Sequence, residues 1–454
     1  MQKAQGKSGD PGKCLAAGFR TNIQEGGIGM VTKETPSNIG NVRWSIPFTL
    51  MATVIIAYLD RANLSLALPK IAESYGWTAA QTGEYGGMLM SIFYVAYGLA
   101  NIFISPLGEK FGPRKSLICL VVLWSLFTAL GGAFGLLFVP FIITRILLGL
   151  GEGIHWPMMN MLTKVWFPMN ERSRGNGIYA IGMFAAGLLG PILLVPLVNM
   201  AGWRWMFGIL GIIGLTVSIP LIYFFIYDNP RKHPRISEAE TAFIENGMEK
   251  EDGIERGTLW QEVQPFIRSG AFWFAVLVGS LNNMFAHGLM NWMPTYFTKG
   301  RGLPFGDLWY AVSLPFVACI LGVITWSYLG DKTNRRVIVS CIGPFVAALF
   351  VYISVNQGAI AGTIIAFLFA TFFGMTYASN EFAIVQHILP KRSVVTGVGV
   401  YNGLTMLIGG GLGPVVVGTA VSMTGSYQTG ILALAGVSCI TGIAMFALYR
   451  FVKY

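Results

Sequence analysis

Apolar stretches of about 20 residues recur along the chain, each ended by a short polar turn, and that length matches a helix crossing the hydrocarbon core of a bilayer. The pattern predicts twelve helical spans, near 44–68, 83–105, 116–136, 138–164, 174–199, 204–227, 270–296, 308–329, 336–355, 358–388, 394–421 and 428–451. One long interruption, a charged segment over 228–268, divides them. The expected organisation is a polar tail (1–43), a six-helix half (44–227), a linker (228–268) and a second six-helix half (269–454).

The two halves repeat one another. Gly108-Glu109-Lys110 realigns with Gly330-Asp331-Lys332, and at the same offset Pro168 meets Pro390, Gly175 meets Gly397, Gly177 meets Gly399 and Tyr179 meets Tyr401. Matches spread over several loops and helices mark a duplicated unit. The fold class expected is therefore all-α, with twelve transmembrane helices in two six-helix pseudo-repeats. Duplicated halves of this kind hold a substrate site between them near the midplane and work by alternating access.

Composition agrees with a membrane protein: 54% of residues are hydrophobic and 11% charged, well below the charge content of a soluble domain. The formal charge of +10 could suggest nucleic acid, but the basic residues concentrate in alternate loops. One set holds Lys110, Arg114, Lys115, Lys164, Arg172, Arg174, Lys332, Arg335, Arg336, Lys391, Arg392, Arg450 and Lys453. The other keeps Lys70, Arg204, Lys299 and Arg301. By the positive-inside rule both termini are expected in the cytoplasm. Four of the five cysteines fall in apolar spans and none forms a CxxC pair, so no disulfide framework, metal site or cofactor is expected. The tail lacks a signal-peptide core. Gln24-Glu25-Gly26-Gly27 could be encoded by a purine-rich ribosome-binding sequence, which makes Met30 the expected start.

Charges inside apolar helices are the candidate chemistry. The first span carries Tyr58, Asp60 and Arg61; the fourth carries Arg145 and Glu152. A charge at the bilayer centre costs about 2.5–3.5 kcal/mol on insertion scales, so such residues face a wet cavity, pair, or move ions. Arginine can grip a carboxylate through its planar fork. A desolvated carboxylate can hold a proton near neutral pH. Asp60 and Glu152 are the proton-coupling candidates, Arg61 and Arg145 the anion-binding ones; the alternative is that the four only brace the bundle. Adjacent Asp60 and Arg61 point about 100° apart and cannot both face one spot. Glu152 and His155 should share a stripe with Arg145. In the repeat register Asp60-Arg61 corresponds to Asn282-Asn283, whereas Arg145 and Glu152 correspond to Phe367 and Gly374, so the substrate's charge should lean on the first half.

Tyr58, Tyr97, Asn282, Asn283 and Asn402 are further cavity candidates, because buried amides and hydroxyls need partners that lipid cannot supply. His155 and His287 read as satisfied interior histidines. Glu381 either lines an inner vestibule or makes a local salt bridge. The glycines of Gly149-Leu150-Gly151 and Gly409-Gly410-Gly411-Leu412-Gly413 lie within apolar spans, where close helix packing is the better reading than a nucleotide loop. No Walker motif and no nucleophile–base constellation is present, so an enzyme is not expected.

Gly108-Glu109-Lys110-Phe111-Gly112-Pro113-Arg114-Lys115 and Gly330-Asp331-Lys332-Thr333-Asn334-Arg335-Arg336 resemble the paired loops of the major facilitator superfamily. The resemblance implies a cytoplasmic gate involving Glu109, Arg114, Asp331 and Arg335. Tyr58-Leu59-Asp60-Arg61-Ala62-Asn63-Leu64-Ser65, the Arg145…Glu152 spacing, Gly202-Trp203-Arg204-Trp205-Met206-Phe207 and the loop Asp228 to Glu240 are similar to the anion:cation symporter family, which includes bacterial sugar-acid transporters, sialin and vesicular glutamate transporters. That resemblance supports the assignments of Asp60, Glu152, Arg61 and Arg145, and places Tyr58, Tyr97 and Asn402 in the cavity. Where the sugar-acid members carry a fifth-helix glutamine on the polyol, the alignment places Gly182, a departure that argues against a hexonate and leaves room for another carboxylate or a sulfonate. Ser237 and Glu240 also form the pattern of a capping box. The expected function is proton-coupled symport of a small organic anion, a carboxylate or sulfonate, by a monomer in a bacterial cytoplasmic membrane. An antiporter or exporter, or a membrane sensor without flux, is the alternative.

Overall fold

The structure, a computed structural model, describes residues 40–248, 259–333, 335–390 and 393–452. Most of the expected tail, including Met30, and Lys391, Arg392 and Lys453 lie outside the described residues, as does the side chain of Glu109. Every regular element described is helical. The first six long helices are α1 (Val42–Tyr75), α2 (Ala79–Phe103), α3 (Pro113–Phe134), α4 (Phe138–Trp166), α5 (Met169–Ala201) and α6 (Trp203–Phe225). The second six are α7 (Gly270–Thr295), α8 (Phe305–Thr333), α9 (Arg336–Val355), α10 (Ile360–Ile388), α11 (Thr396–Thr424) and α12 (Tyr427–Phe451). All but α7 are both long and apolar enough to cross a membrane. α7 has the length but is diluted by Ser280, Asn282, Asn283, His287 and Asn291. Large apolar side chains, among them Phe103, Val139, Ile181, Met200, Ile324 and Ile443, stand exposed on the outside of the bundle, as a lipid-facing surface requires.

The predicted spans recur with instructive differences. α1 runs on past residue 68, through Pro69, until Gly76 takes the left-handed conformation (φ 65°) and ends it. Lys70 and Glu73 sit on this last stretch, where the helix has outlasted the apolar run. α4 and α10 are each interrupted: α4 after Glu152, resuming at His155, and α10 after Ala378, resuming at Glu381.

At the end remote from the basic loops the halves are in contact. Lys299 Nζ lies 2.7 Å from Glu73 Oε1, and Ser313 Oγ donates to the Leu188 carbonyl at 2.8 Å. Glycines permit the closest approaches: a Cβ on Gly87 would sit 3.1 Å from the Pro414 carbonyl oxygen, and one on Gly83 2.8 Å from the Ser422 nitrogen.

The linker contributes a helix, Glu238–Met248. Its start obeys half of the expected capping box, because the Glu240 amide donates to Ser237 Oγ at 3.1 Å. The Glu240 carboxylate does not return the bond. It accepts from the backbone N–H of Arg43 at 2.9 Å and of Val42 at 3.2 Å, capping α1 instead. α1 has no cap of its own, and its first N–H groups are orphans that a buried carboxylate satisfies. Arg43 also pairs with Glu240 (3.2 Å) and with Glu171 on α5 (2.9 Å), so one buried cluster ties linker, α1 and α5 together. Nearby, His233 stands edge-on to Trp166 and Tyr227, and burial and Arg235 lower its pKa. Glu240→Ala strands buried donors and is expected to cost about 1–3 kcal/mol. A lowered thermal midpoint of the purified protein is the readout; an unchanged midpoint would mean that the cap is dispensable.

Candidate functional site

Residues three or four apart on one helix share a face, and that rule assembles the site from α1 and α2. Tyr58 and Arg61 lie one turn apart on α1, and the Arg61 guanidinium stands 4.3 Å from the Tyr58 ring centre. Phe93 and Tyr97 lie one turn apart on α2 and flank the same guanidinium at 5.3 and 4.8 Å. Aromatic faces attract a cation, more strongly once water is excluded.

α4 closes the third side. A Cβ on Gly153 would sit 2.5 Å from the Tyr97 carbonyl oxygen, and one on Gly149 would overlap the Phe93 carbonyl. Glycine at these positions lets α4 lie directly on α2. Glu152 is thereby brought onto Arg61: its Oε2 accepts from Arg61 Nη2 at 3.0 Å and from Nε at 3.3 Å. Glu152 is fully buried and Arg61 is 9% exposed. The anion-binding candidate of α1 and the proton-coupling candidate of α4 thus form one buried ion pair.

Asp60 and Arg145 lie beside it. Asp60 is fully buried, and neither of its oxygens has a hydrogen-bond partner among the described residues. It interacts electrostatically with Glu152 and Arg145. The Thr128 hydroxyl, also buried without a partner, comes from α3. Arg145 is 3% exposed, donates one long bond from Nη1 to Asn63 Oδ1 (3.4 Å) and lies 5.4 Å from the Phe93 ring centre. Its Nε has no partner. Two buried cations and two buried carboxyls therefore share one cluster inside the first half.

The other candidates fall elsewhere. His155 leaves the expected stripe, because the break after Glu152 turns it into the first half: its Nε2 lies 3.3 Å from Thr53 Oγ1, with the Trp124 ring 5.1 Å away. Asn282 is buried and Asn283 and Asn402 half-buried, and their side chains make no hydrogen bond among the described residues. α7 instead reaches α2 through His287, whose ring lies 4.5 Å from that of Tyr94, and Asn291, whose Nδ2 donates to the Tyr94 hydroxyl at 3.2 Å. Arg114 bonds to the Tyr223 carbonyl of its own half and, through its backbone N–H, to Asp228 Oδ1 of the linker at 2.7 Å. Asp331 pairs with Arg336, and Arg335 is exposed.

Gly182 sits against α1. A Cβ there would sit 2.8 Å from the Met51 carbonyl oxygen and 3.2 Å from Val54. The position faces α1, where glycine lets the two helices pack closely. Phe93, Tyr94 and Asn63 were missed. Phe93 was signalled by lying four residues before Tyr97, and Asn63 by its place in the stretch that carries Asp60 and Arg61.

The sequence model of the Major Facilitator Superfamily matches residues 50–414. The D-galactonate transporter of Escherichia coli O6:H1 is 28% identical over 434 residues, covering 91% of this chain and 97% of that protein. The probable sulfoacetate transporter SauU of Cupriavidus necator is 28% identical over 402 residues, covering 86% and 90%. Among solved structures, a bacterial homologue of the human lysosomal transporter Spinster, inward-facing and occupied, superposes with a TM-score of 0.73 at 17% identity, covering 90% of this chain and 97% of that one. At that identity the likeness concerns the fold alone.

Proposed function

The chain belongs to the major facilitator superfamily, and from that membership we propose that it is a symporter carrying a small organic anion together with a proton. It is a multi-pass membrane transporter and not an enzyme. The observation that carries the finer reading is the charge balance of the buried cluster, in which Asp60 and Glu152 stand against Arg61 and Arg145. Isolated charge is costly in such a site. An anion entering alone would unbalance it, and so would a proton entering alone; the two together leave it balanced.

The Arg61–Glu152 pair supplies the coupling step. While Glu152 is ionised it occupies the Arg61 guanidinium, so the carboxylate of a substrate competes with it. A proton on Glu152 weakens its hold, eases the repulsion with Asp60, and frees Arg61 to join Arg145 on the anion. Tyr58, Tyr97, Asn282, Asn283 and Asn402 are the further groups proposed to line the path. The basic loops support a bacterial cytoplasmic membrane with both termini inside, and Glu109, Arg114, Asp331 and Arg335 stand at that end as gate residues. A monomer suffices, because the cluster is complete in one chain.

Proteoliposomes offered D-galactonate and sulfoacetate test the reading. An inward proton gradient is expected to drive accumulation of at least one of them, abolished by a protonophore. Proton-driven efflux would instead indicate an exporter, and saturable binding without flux a sensor.

A further inference from the structure

Glu381 opens the second segment of α10 and is 8% exposed. Its Oε1 accepts from the Tyr401 hydroxyl of α11 at 2.7 Å, and the Tyr401 oxygen lies 2.8 Å from the hydroxyl of Tyr377 on the first segment of α10. Both tyrosines are fully buried. α7 closes the remaining side with Gly279, where a Cβ would overlap the Tyr401 hydroxyl. No lysine, arginine or histidine pairs with Glu381 among the described residues. The two phenols, one from α10 and one from α11, are the titratable groups that face it. Among the described residues Glu381 makes no salt bridge, the second of the two roles the sequence left open for it.

The corresponding corner of the first half is built differently. Tyr179, which the repeat aligns with Tyr401, donates to Asn160 Oδ1 at 2.6 Å. An amide accepts that bond in one half and a carboxyl in the other. An uncompensated carboxylate withdrawn from water carries a desolvation cost that a bound proton removes. The chain Tyr377–Tyr401–Glu381 also has two hydrogen-bond directions with its heavy atoms fixed: from the phenols toward a carboxylate, or from a carboxylic acid toward the phenols. A proton can therefore be added at Glu381 without repacking the corner.

We propose that Glu381 is a proton-binding site of the second half, separate from the Asp60–Glu152 cluster, holding its proton as a neutral acid while the basic end is closed and releasing it to water there when that end opens. The release step rests on the alternating-access reading above; the binding site does not. The proton passes from the carboxyl oxygen to water and no other bond changes.

Infrared difference spectroscopy of the full chain in lipid nanodiscs, between acidic and alkaline buffer, tests the site through the carboxylic-acid C=O band. Glu381→Gln keeps an acceptor for Tyr401 and is expected to lose one component of that band, a component that Glu152→Gln and Asp60→Asn retain. A Glu381→Gln spectrum superimposable on the parent at every pH would overturn the proposal. Tyr401→Phe, which leaves Glu381 in place, is expected to displace the same component, and an unmoved band would overturn it equally. Counterflow of D-galactonate and sulfoacetate is measured on the same preparations. A present band with no flux sinks the transport reading alone, and flux without the band sinks this site alone.

Discussion

Replacing Glu152 with glutamine is expected to abolish proton-driven accumulation while leaving substrate counterflow intact. Glutamine has nearly the shape of glutamate and its carbonyl can keep the bonds that Glu152 Oε2 accepts from Arg61 at 3.0 and 3.3 Å. What disappears is the charge and the capacity to take a proton. The cluster is then held permanently in the charge state that protonation creates in the parent, with Arg61 and Arg145 facing Asp60 alone. An anion binds there without bringing a proton, so substrate exchanges across the membrane but the proton gradient no longer performs work on it. Counterflow should also lose the part of its pH dependence that comes from competition for Arg61, since that competitor can no longer ionise. Glu152→Leu is the wrong test, because it removes the acceptor too and leaves Arg61 buried and unpaired, a loss on the order of 3–5 kcal/mol that confuses folding with function. Concentrative uptake by the glutamine variant at the parental ratio would take Glu152 out of the coupling step and leave Asp60 as the carrier.

What the sequence makes legible follows from periodicity, and what it hides follows from register between helices. The spans are written in runs of apolar residues, so their number and nearly all their limits can be read directly. α7 shows where length and polarity part: its run is long, yet Asn282, Asn283, His287 and Asn291 thin its hydropathy. The four buried charges are equally legible, because charge in an apolar run is rare. Their pairing is not. Arg61 meets Glu152 through the depth at which α4 lies on α2, which glycines at 149 and 153 set by allowing backbone contact, and no local pattern encodes that depth. Glu240 makes the same point: the capping box is visible locally, but the buried start of α1 takes its carboxylate instead. Gly182 shows the limit of arguing from alignment, since only its surroundings reveal that the position faces Met51 and Val54.

Arg145→Lys is expected to weaken anion binding by about 10–100-fold, equivalent to about 1.4–2.8 kcal/mol. The two arginines of the cluster are not equally free. Arg61 gives two bonds to Glu152 and is flanked by three aromatic rings. Arg145 gives a single bond of 3.4 Å to Asn63 and keeps a buried Nε with no partner. Its planar fork therefore retains the donors that a carboxylate or sulfonate needs for two parallel bonds. Lysine preserves the positive charge opposite Asp60, so electrostatic balance and folding should survive, but a compact ammonium cannot offer the fork. Arg61→Lys is expected to behave differently, with a smaller effect on affinity and a larger one on the pH dependence of uptake, because Arg61 is the group for which ionised Glu152 and substrate compete. Half-saturation of counterflow, measured for both variants across pH, separates the two roles. Parental affinity in Arg145→Lys would make Arg145 a counter-charge for Asp60, and the anion would then have to be held by Arg61 alone.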